Sequence, residues 1–267
     1  MRKNSAGTIK PFFPGRTALA YMYLDPLPTN CCAAWFCRGS EEKGYNLAFF
    51  FYGCNLDCLF CQNSSHKRLE HASVLTDEEV IRAALSPAVR CVCFFGGSPE
   101  PQLPFAIRVS EKIVAQSQNT KHICWEWNGC GHPALVERAA ELSQTSGGTV
   151  KFDFKAYHPN IALALCGTEL SRSYKNFSAL SERFRQKDLL TAATLLVPHY
   201  IDKREVGEIA KSISFAGADI PYSLLVFHPD FLMADLPLTS RAQAEGCYEE
   251  ARRHLSRVYI GNMNLLK

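Results

Sequence analysis

Cys54, Cys58 and Cys61 stand in the run Cys54-Asn-Leu-Asp-Cys58-Leu-Phe60-Cys61. Three thiolates on one short loop can hold three irons of a four-iron, four-sulfur cluster, which normally takes four cysteines. The remaining iron is then open to a small molecule, and an open iron on a reducing cluster points to chemistry rather than electron storage. The competing reading is a zinc site. Zinc ligands usually come as Cys-x2-Cys pairs well separated in sequence. Here a single triplet follows directly on an apolar run, Leu47-Ala-Phe-Phe-Phe-Tyr52.

Such a loop needs a scaffold that aims it. Short apolar runs at 47–52, 90–95, 122–126, 149–154, 189–197 and 222–227 predict strands, with a last one at 257–260. They lack strict alternation, which predicts parallel strands buried on both faces. Helical patterns fall between them: one opened by the capping box Thr76-Asp-Glu-Glu79, one with Pro133 in its first turn, and others near 102–118, 172–186, 203–214 and 240–255. Strand–helix alternation implies βαβ units. Six of them predict an α/β fold, an incomplete (β/α)6 TIM-like barrel spanning 46–267. Residues 1–45, with Pro11, Pro14, Pro26 and Pro28, read as an irregular N-terminal extension bearing Cys31, Cys32 and Cys37.

Barrels of this kind carry functional residues where strands end. The first strand is followed by the cysteine triplet. The second leads into Phe94-Phe95-Gly96-Gly97-Ser98-Pro99-Glu100, where paired glycines let a backbone approach a ligand. Cys124-Trp-Glu126-Trp-Asn128-Gly129 contains the third strand end, and Phe152-Asp153-Phe-Lys155 follows the fourth. Leu224-Leu-Val-Phe-His228-Pro229 closes the series.

The Cys-x3-Cys-x2-Cys spacing resembles the signature of the radical S-adenosylmethionine (SAM) superfamily. The order of the later motifs is similar to the pyruvate formate-lyase activating enzyme group, from Asn46 to about Phe231. The resemblance implies a [4Fe-4S] cluster on Cys54, Cys58 and Cys61, with SAM chelating the open iron. One electron then cleaves SAM to a 5′-deoxyadenosyl radical, which abstracts hydrogen from an unidentified substrate. It further implies SAM contacts from Phe60, Gly96, Gly97, Ser98, Glu126, Asp153, Lys155 and His228. Phe60 would lie against the adenine, Gly96 and Gly97 at the amino group, and Lys155 at the carboxylate. Glu126 and Asp153 would converge there, and their repulsion suggests a monovalent cation between them. Ser98 departs from the family, which has an acid at that place. The stretch Ile161-Ala-Leu-Ala-Leu165 lacks the family's histidine, and Cys166 replaces a threonine.

Two other functions compete: an activating enzyme that places a glycyl radical on a partner protein, and a non-catalytic iron–sulfur or zinc binding module. The substrate is a small molecule, a peptide or a protein, and the resemblance implies an electron donor such as ferredoxin or flavodoxin. At 267 residues and 47% hydrophobic composition, the chain can bury a sizeable core. A dispersed net charge of +3 gives no footprint for nucleic acid or a membrane surface. The polar start, Met1-Arg-Lys-Asn-Ser-Ala-Gly-Thr, lacks the apolar core of a signal peptide, and no run approaches a membrane span. Twelve cysteines in a chain read as cytoplasmic favour metal or cluster binding over disulfides and suggest an anaerobic setting. The crowding of Cys31, Cys32 and Cys37 invites a second metal, completed by Cys91 or Cys93, against the alternative of buried thiols.

Overall fold

The computed structural model describes residues 2–3, 9–10, 15–29, 31–185 and 188–266. The expectations for Pro11, Pro14 and position 186 lie outside them. The chain divides into two compact units. One holds 1–55, 63–127 and 131–150, and the other 56–62, 128–130 and 151–267.

The first unit opens with the antiparallel pair β1 (Arg2–Lys3) and β2 (Ile9–Lys10). Then come β3 (Thr17–Pro26), β4 (Tyr45–Phe51), β5 (Val74–Thr76), α1 (Asp77–Ala84), β6 (Val89–Gly96), α2 (Leu103–Ser117), β7 (His122–Trp127) and α3 (Pro133–Ser146). The strand order is β7-β6-β4-β3-β5. β4, β6 and β7 run parallel, and β3 is antiparallel to both β4 and β5. The stretch read as irregular thus contains a strand of 10 residues. It is antiparallel, so it belongs to no βαβ unit and escapes a search for strand–helix alternation.

Period two sorts β4 and its neighbours into faces. Phe49, Phe51, Phe94 and Trp125 pack on one side with Phe105 of α2. The Phe94 and Trp125 rings stack at 4.7 Å, and Phe49 lies 5.4 Å from Phe94. The Trp125 indole N–H is satisfied by the Ala139 carbonyl at 2.9 Å. The expected capping box of α1 forms: Glu79 N–H donates to Thr76 Oγ1 at 3.2 Å, and Thr76 N–H to Glu79 Oε2 at 2.8 Å.

Asp77, the first residue of α1, is buried and paired with Arg108 and Lys112 of α2. Burial alone would raise its pKa, but the two cations more than offset this and hold it below the ordinary carboxylate value. A lowered folded-state pKa stabilises above the unfolded value near 3.8 and is lost as pH falls through the folded one. Chemical denaturation of wild type should therefore show stability dropping on acidification below about pH 4. Asp77→Asn should lose about 1–2 kcal/mol at neutral pH and flatten that dependence.

The second unit contains β8 (Val150–Asp153, from Lys151 onward in this unit), α4 (Pro159–Cys166), α5 (Ser171–Arg183), β9 (Leu190–Leu196), α6 (Lys203–Ala216), β10 (Tyr222–Val226), α7 (Arg241–Arg252) and β11 (Val258–Gly261). Its strand order is β8-β9-β10-β11, with β9, β10 and β11 parallel. A buried relay ties the strands together: Tyr222 O–H donates to Thr194 Oγ1 at 2.8 Å, and Thr194 O–H to the Phe154 carbonyl at 2.9 Å. Phe152, Phe154 and Phe177 form the aromatic core beside it. Among the described residues, β6, β7, β8, β9 and β10 are each followed by an α-helix, and β4 reaches α1 through the short strand β5. Helix α4 was not expected. No helix of the described residues is long and apolar enough to cross a membrane.

Candidate functional site

In the first unit, β4 runs into Gly53 and Cys54, and β6 into Gly96-Gly97-Ser98. The two ends are laced together. Gly97 N–H donates to the Phe51 carbonyl at 2.9 Å, Ser98 N–H to Gly53 at 3.1 Å, and Gly53 N–H to His66 at 3.1 Å. Asn63 Nδ2 donates to the Gly96 carbonyl at 3.3 Å. The lacing leaves no room for side chains: a Cβ on Gly97 would lie 2.1 Å from the Gly53 oxygen. Gly96 has a φ of +113°, which L side chains rarely adopt. Ser98 is buried and donates its hydroxyl to Glu100, also buried. An acid therefore stands two residues after Ser98 and accepts the hydrogen bond of its hydroxyl.

In the second unit, 56–62 carries Cys58, Phe60 and Cys61. Asp57 N–H donates to the Cys166 carbonyl at 3.0 Å, and Leu59 N–H to Leu165 at 2.9 Å. These are carbonyls of the last turn of α4, which a helix leaves without internal partners. Leu232 N–H donates to the Leu59 carbonyl at 3.1 Å, so a turn after β10 braces the loop from a second side. Gln62 Nε2 approaches the His228 carbonyl at 3.5 Å. The apolar stretch 161–165 therefore forms a helix whose end pins the cysteine loop, a role that sequence reasoning missed. The signals were present: Pro159 at the first helical position, the His158 cap and Gly167 in the left-handed conformation after the last turn.

Cys58 and Phe60 are buried, while Cys54 and Cys61 are half-buried. Lys155, just past β8, pairs with Asp153 and places its ammonium 5.7 Å from the centre of the Phe60 ring. Burial would lower the Lys155 pKa, but Asp153 and the Cys58 sulfur outweigh it and hold the ammonium well above its ordinary value. The other oxygen of Asp153, Oδ1, is buried with no hydrogen-bond partner among the described residues. The Cys166 thiol hydrogen-bonds Cys58, and this bond, with burial, pushes its pKa up. His228, half-buried after β10, has Nδ1 3.4 Å from the Pro229 carbonyl.

The donor set suits an anionic cluster. Three thiols fall within eight residues of sequence. One of them feels a fixed ammonium, and the cysteine loop is braced through its backbone. Asp153 also offers an unused buried acceptor to a cationic or hydrogen-donating ligand. The monovalent cation expected between Glu126 and Asp153 has no support: Lys155 already meets the charge of Asp153. Glu126 instead packs in the first unit with Cys31 and Cys32, their ligand atoms all within 4.8 Å of one another.

The radical SAM superfamily model matches residues 49–213. A Methanocaldococcus jannaschii protein named as a glycyl-radical enzyme activating enzyme is 23% identical over 228 residues, covering 83% of this chain and 91% of that protein. A domain of pyruvate-formate lyase-activating enzyme from Bacteroides vulgatus superposes with a TM-score of 0.53 at 16% identity, over 64% of this chain and 98% of its own. Streptococcus suis SuiB bound to its precursor peptide SuiA gives a TM-score of 0.62 at 13% identity over 80% of this chain, which spans 48% of SuiB. SuiB bound to S-adenosylmethionine gives 0.56 at 14% identity over 82% of this chain. At these identities the structures show the fold, the α/β incomplete barrel expected from the sequence. The family match takes in well over half of the chain, including the cysteine triplet, the glycine turn and Lys155. The chain belongs to the radical SAM superfamily of enzymes.

Proposed function

We propose that this enzyme cleaves SAM reductively and passes the resulting radical to a substrate by hydrogen abstraction. The observation that carries the reading is the cysteine loop itself, a Cys-x3-Cys-x2-Cys triplet whose 56–62 part is braced by the end of α4 and sets Cys58 and Phe60 beside Lys155. Cys54, Cys58 and Cys61 would hold a [4Fe-4S] cluster and leave one iron for SAM. When bound, the cluster supplies the electron that splits SAM into methionine and a 5′-deoxyadenosyl radical, which becomes 5′-deoxyadenosine on taking a hydrogen atom.

This chain's own residues bind, orient and shield. Gly96 and Gly97 offer backbone groups at a turn that no side chain can enter. Ser98 stiffens that turn through Glu100. Lys155 provides a fixed point charge suited to a carboxylate, Asp153 an acceptor, and His228 a ring at the end of β10. Phe60, buried beside the thiolates, excludes water and gives an apolar face to a base. The electron comes from a donor protein such as ferredoxin or flavodoxin. Oxidisable thiols and an oxygen-labile cluster suit a cytoplasmic, anaerobic setting.

A second reading is favoured by the Methanocaldococcus relative: the substrate is a glycine on a partner protein. Support for a polypeptide substrate also comes from SuiB, bound to a peptide in one of its structures.

Anaerobic reconstitution with iron and sulfide, reduction with dithionite and addition of SAM should release 5′-deoxyadenosine, quantified by chromatography. A protein carrying a full cluster and bound SAM that releases none would point to a non-catalytic iron–sulfur module or to an enzyme that cleaves SAM only when its substrate is bound. A stable glycyl radical on an added candidate partner, seen by electron paramagnetic resonance, would select the second reading.

A further inference from the structure

We infer a second metal site in the first unit, formed by Cys31, Cys32 and Glu126 and taking a thiophilic divalent ion, zinc in the first instance. It is separate in sequence and ligands from the cysteine triplet. Nothing in the radical reaction proposed above requires it.

The two sulfurs and a carboxylate oxygen lie within 4.8 Å of one another, and all three residues are half-buried, open enough for an ion to enter. In tetrahedral zinc sites Zn–S is about 2.3 Å, which puts ligand atoms about 3.8 Å apart, so closure needs movements of only about 1 Å. Three groups that can each carry a negative charge repel one another at this range, and a divalent cation turns that cost into binding energy. Two sulfurs and one oxygen suit zinc, which accepts both, better than magnesium or calcium, which prefer all-oxygen sites. Three protein ligands leave a fourth position, as in zinc sites that keep one place open.

The backbone around Cys31 is organised for this role. Ala33 N–H points at Cys31 Sγ, 3.4 Å away, and such bonds favour the thiolate form a metal needs. Ala34 N–H donates to the Cys31 carbonyl at 2.9 Å, and Cys37 N–H to that of Ala33 at 2.9 Å, so the segment is a wound turn around the buried Ala33. Glu126 comes from β7, on the face it shares with Cys124 two residues earlier. Cys124 stands beside Cys93 in the β6–β7 register, so two further thiols line that face. Cys91, two residues before Cys93 on β6, shares that face as well; its sulfur and that of Cys37 lie 3.9 and 3.8 Å from the Cβ position of Gly39. The ion would clamp the 31–37 turn onto β7. On this assignment Glu126 serves the metal rather than SAM.

The test uses cobalt(II), whose thiolate charge-transfer band reports sulfur ligation, on full-length protein under anaerobic conditions. The cysteine triplet is first removed as Cys54→Ala, Cys58→Ala and Cys61→Ala, so that neither an iron–sulfur cluster nor adventitious binding there contributes. That variant should bind one cobalt ion per chain with a thiolate band, and zinc should displace it. Adding Cys31→Ser and Cys32→Ser should abolish the band. Glu126→Gln alone, a milder change, should keep the band and weaken binding by about 10-fold or more. Absence of cobalt binding in the triplet variant would overturn the site, as would binding unchanged by the added serines or by Glu126→Gln. Iron with inorganic sulfide taken up in place of the single ion would overturn the choice of metal. Because the radical chemistry is absent from every one of these proteins, failure here leaves 5′-deoxyadenosine formation by wild type untouched, and the reverse holds too.

Discussion

Cys58→Ala should leave a folded protein that reconstitutes without an intact cluster and releases 5′-deoxyadenosine at least about 100-fold more slowly than wild type, because the electron for SAM cleavage has no other route. Cys58 is the most telling member of the triplet because a fourth sulfur stands beside it. The Cys166 thiol hydrogen-bonds Cys58, so Cys166 is a rival for the fourth iron. If it were a ligand, the cluster would have four cysteines and no open iron, and the protein would store electrons rather than cleave SAM. The two roles separate in one experiment. Cys166→Ala should retain about four irons per chain and a SAM-dependent change in the cluster's paramagnetic spectrum. It should keep most of the 5′-deoxyadenosine yield, whereas Cys58→Ala loses all three. Iron loss in Cys166→Ala equal to that in Cys58→Ala would show a four-cysteine cluster and remove the basis for open-iron chemistry. The cost to folding should be small in both, since a buried thiol replaced by a methyl group leaves only a small cavity.

Local patterns were the readable part of this molecule. Thr76 and Glu79 announce a helix start because a capping box is satisfied within four residues, and the box forms as expected. Pro133 opens α3 because its fixed φ and missing N–H cost nothing at that position. β4, β6 and β7 were legible as runs that are apolar on both faces. β3 was not, although its Ala, Leu, Tyr and Met side chains are as apolar as those of its neighbours. It is an edge-side antiparallel strand set among prolines, and only pairing with β4 and β5 makes it a strand. Helix α4 was hidden for a different reason: Ile161-Ala-Leu-Ala-Leu165 is apolar on every side, so no 3.6-residue period separates it from a buried strand.

The same division runs through the candidate site residues. The cysteine triplet and the glycine turn are short in sequence, and local spacing exposes them, while Asp153 and Lys155 stand out only through the family resemblance. Their partners are remote. Leu165 and Cys166 brace a loop more than a hundred residues earlier, and Glu126 meets Cys31 and Cys32 across about as long a stretch. The division into two compact units is remote in the same sense. Residues 56–62 group with the second unit because α4 and the turn after β10 hold them, which no property of the loop itself reveals.

Gly97→Ala should be the most damaging single methyl group in the first unit's site. The new Cβ would sit 2.1 Å from the Gly53 carbonyl oxygen, 2.7 Å from His66 Cγ and 2.8 Å from the Gly53 carbonyl carbon. Two of those three atoms are backbone, so no rotamer change relieves the clash, and the turn after β6 must move away from the end of β4. That movement breaks the Gly97–Phe51 and Ser98–Gly53 hydrogen bonds. These two contacts set the path of the chain immediately before Cys54. Steric overlap and lost buried hydrogen bonds together should cost about 3 kcal/mol or more, lowering Tm by roughly 6–12 °C for a chain of this size. SAM affinity should fall with it, since the turn can no longer present its backbone. Gly246→Ala is the matched control: it lies within α7 with nothing inside 4 Å of its Cβ position, and alanine should stabilise it by about 0.5–1 kcal/mol. A thermal scan of the two variants beside wild type, followed by SAM binding at a temperature where all three are folded, tests both parts. A Gly97→Ala protein with the wild-type Tm would mean that the β4 and β6 ends are not in contact as described. A destabilised protein with unchanged SAM affinity would mean that the turn supports the fold but does not touch the ligand.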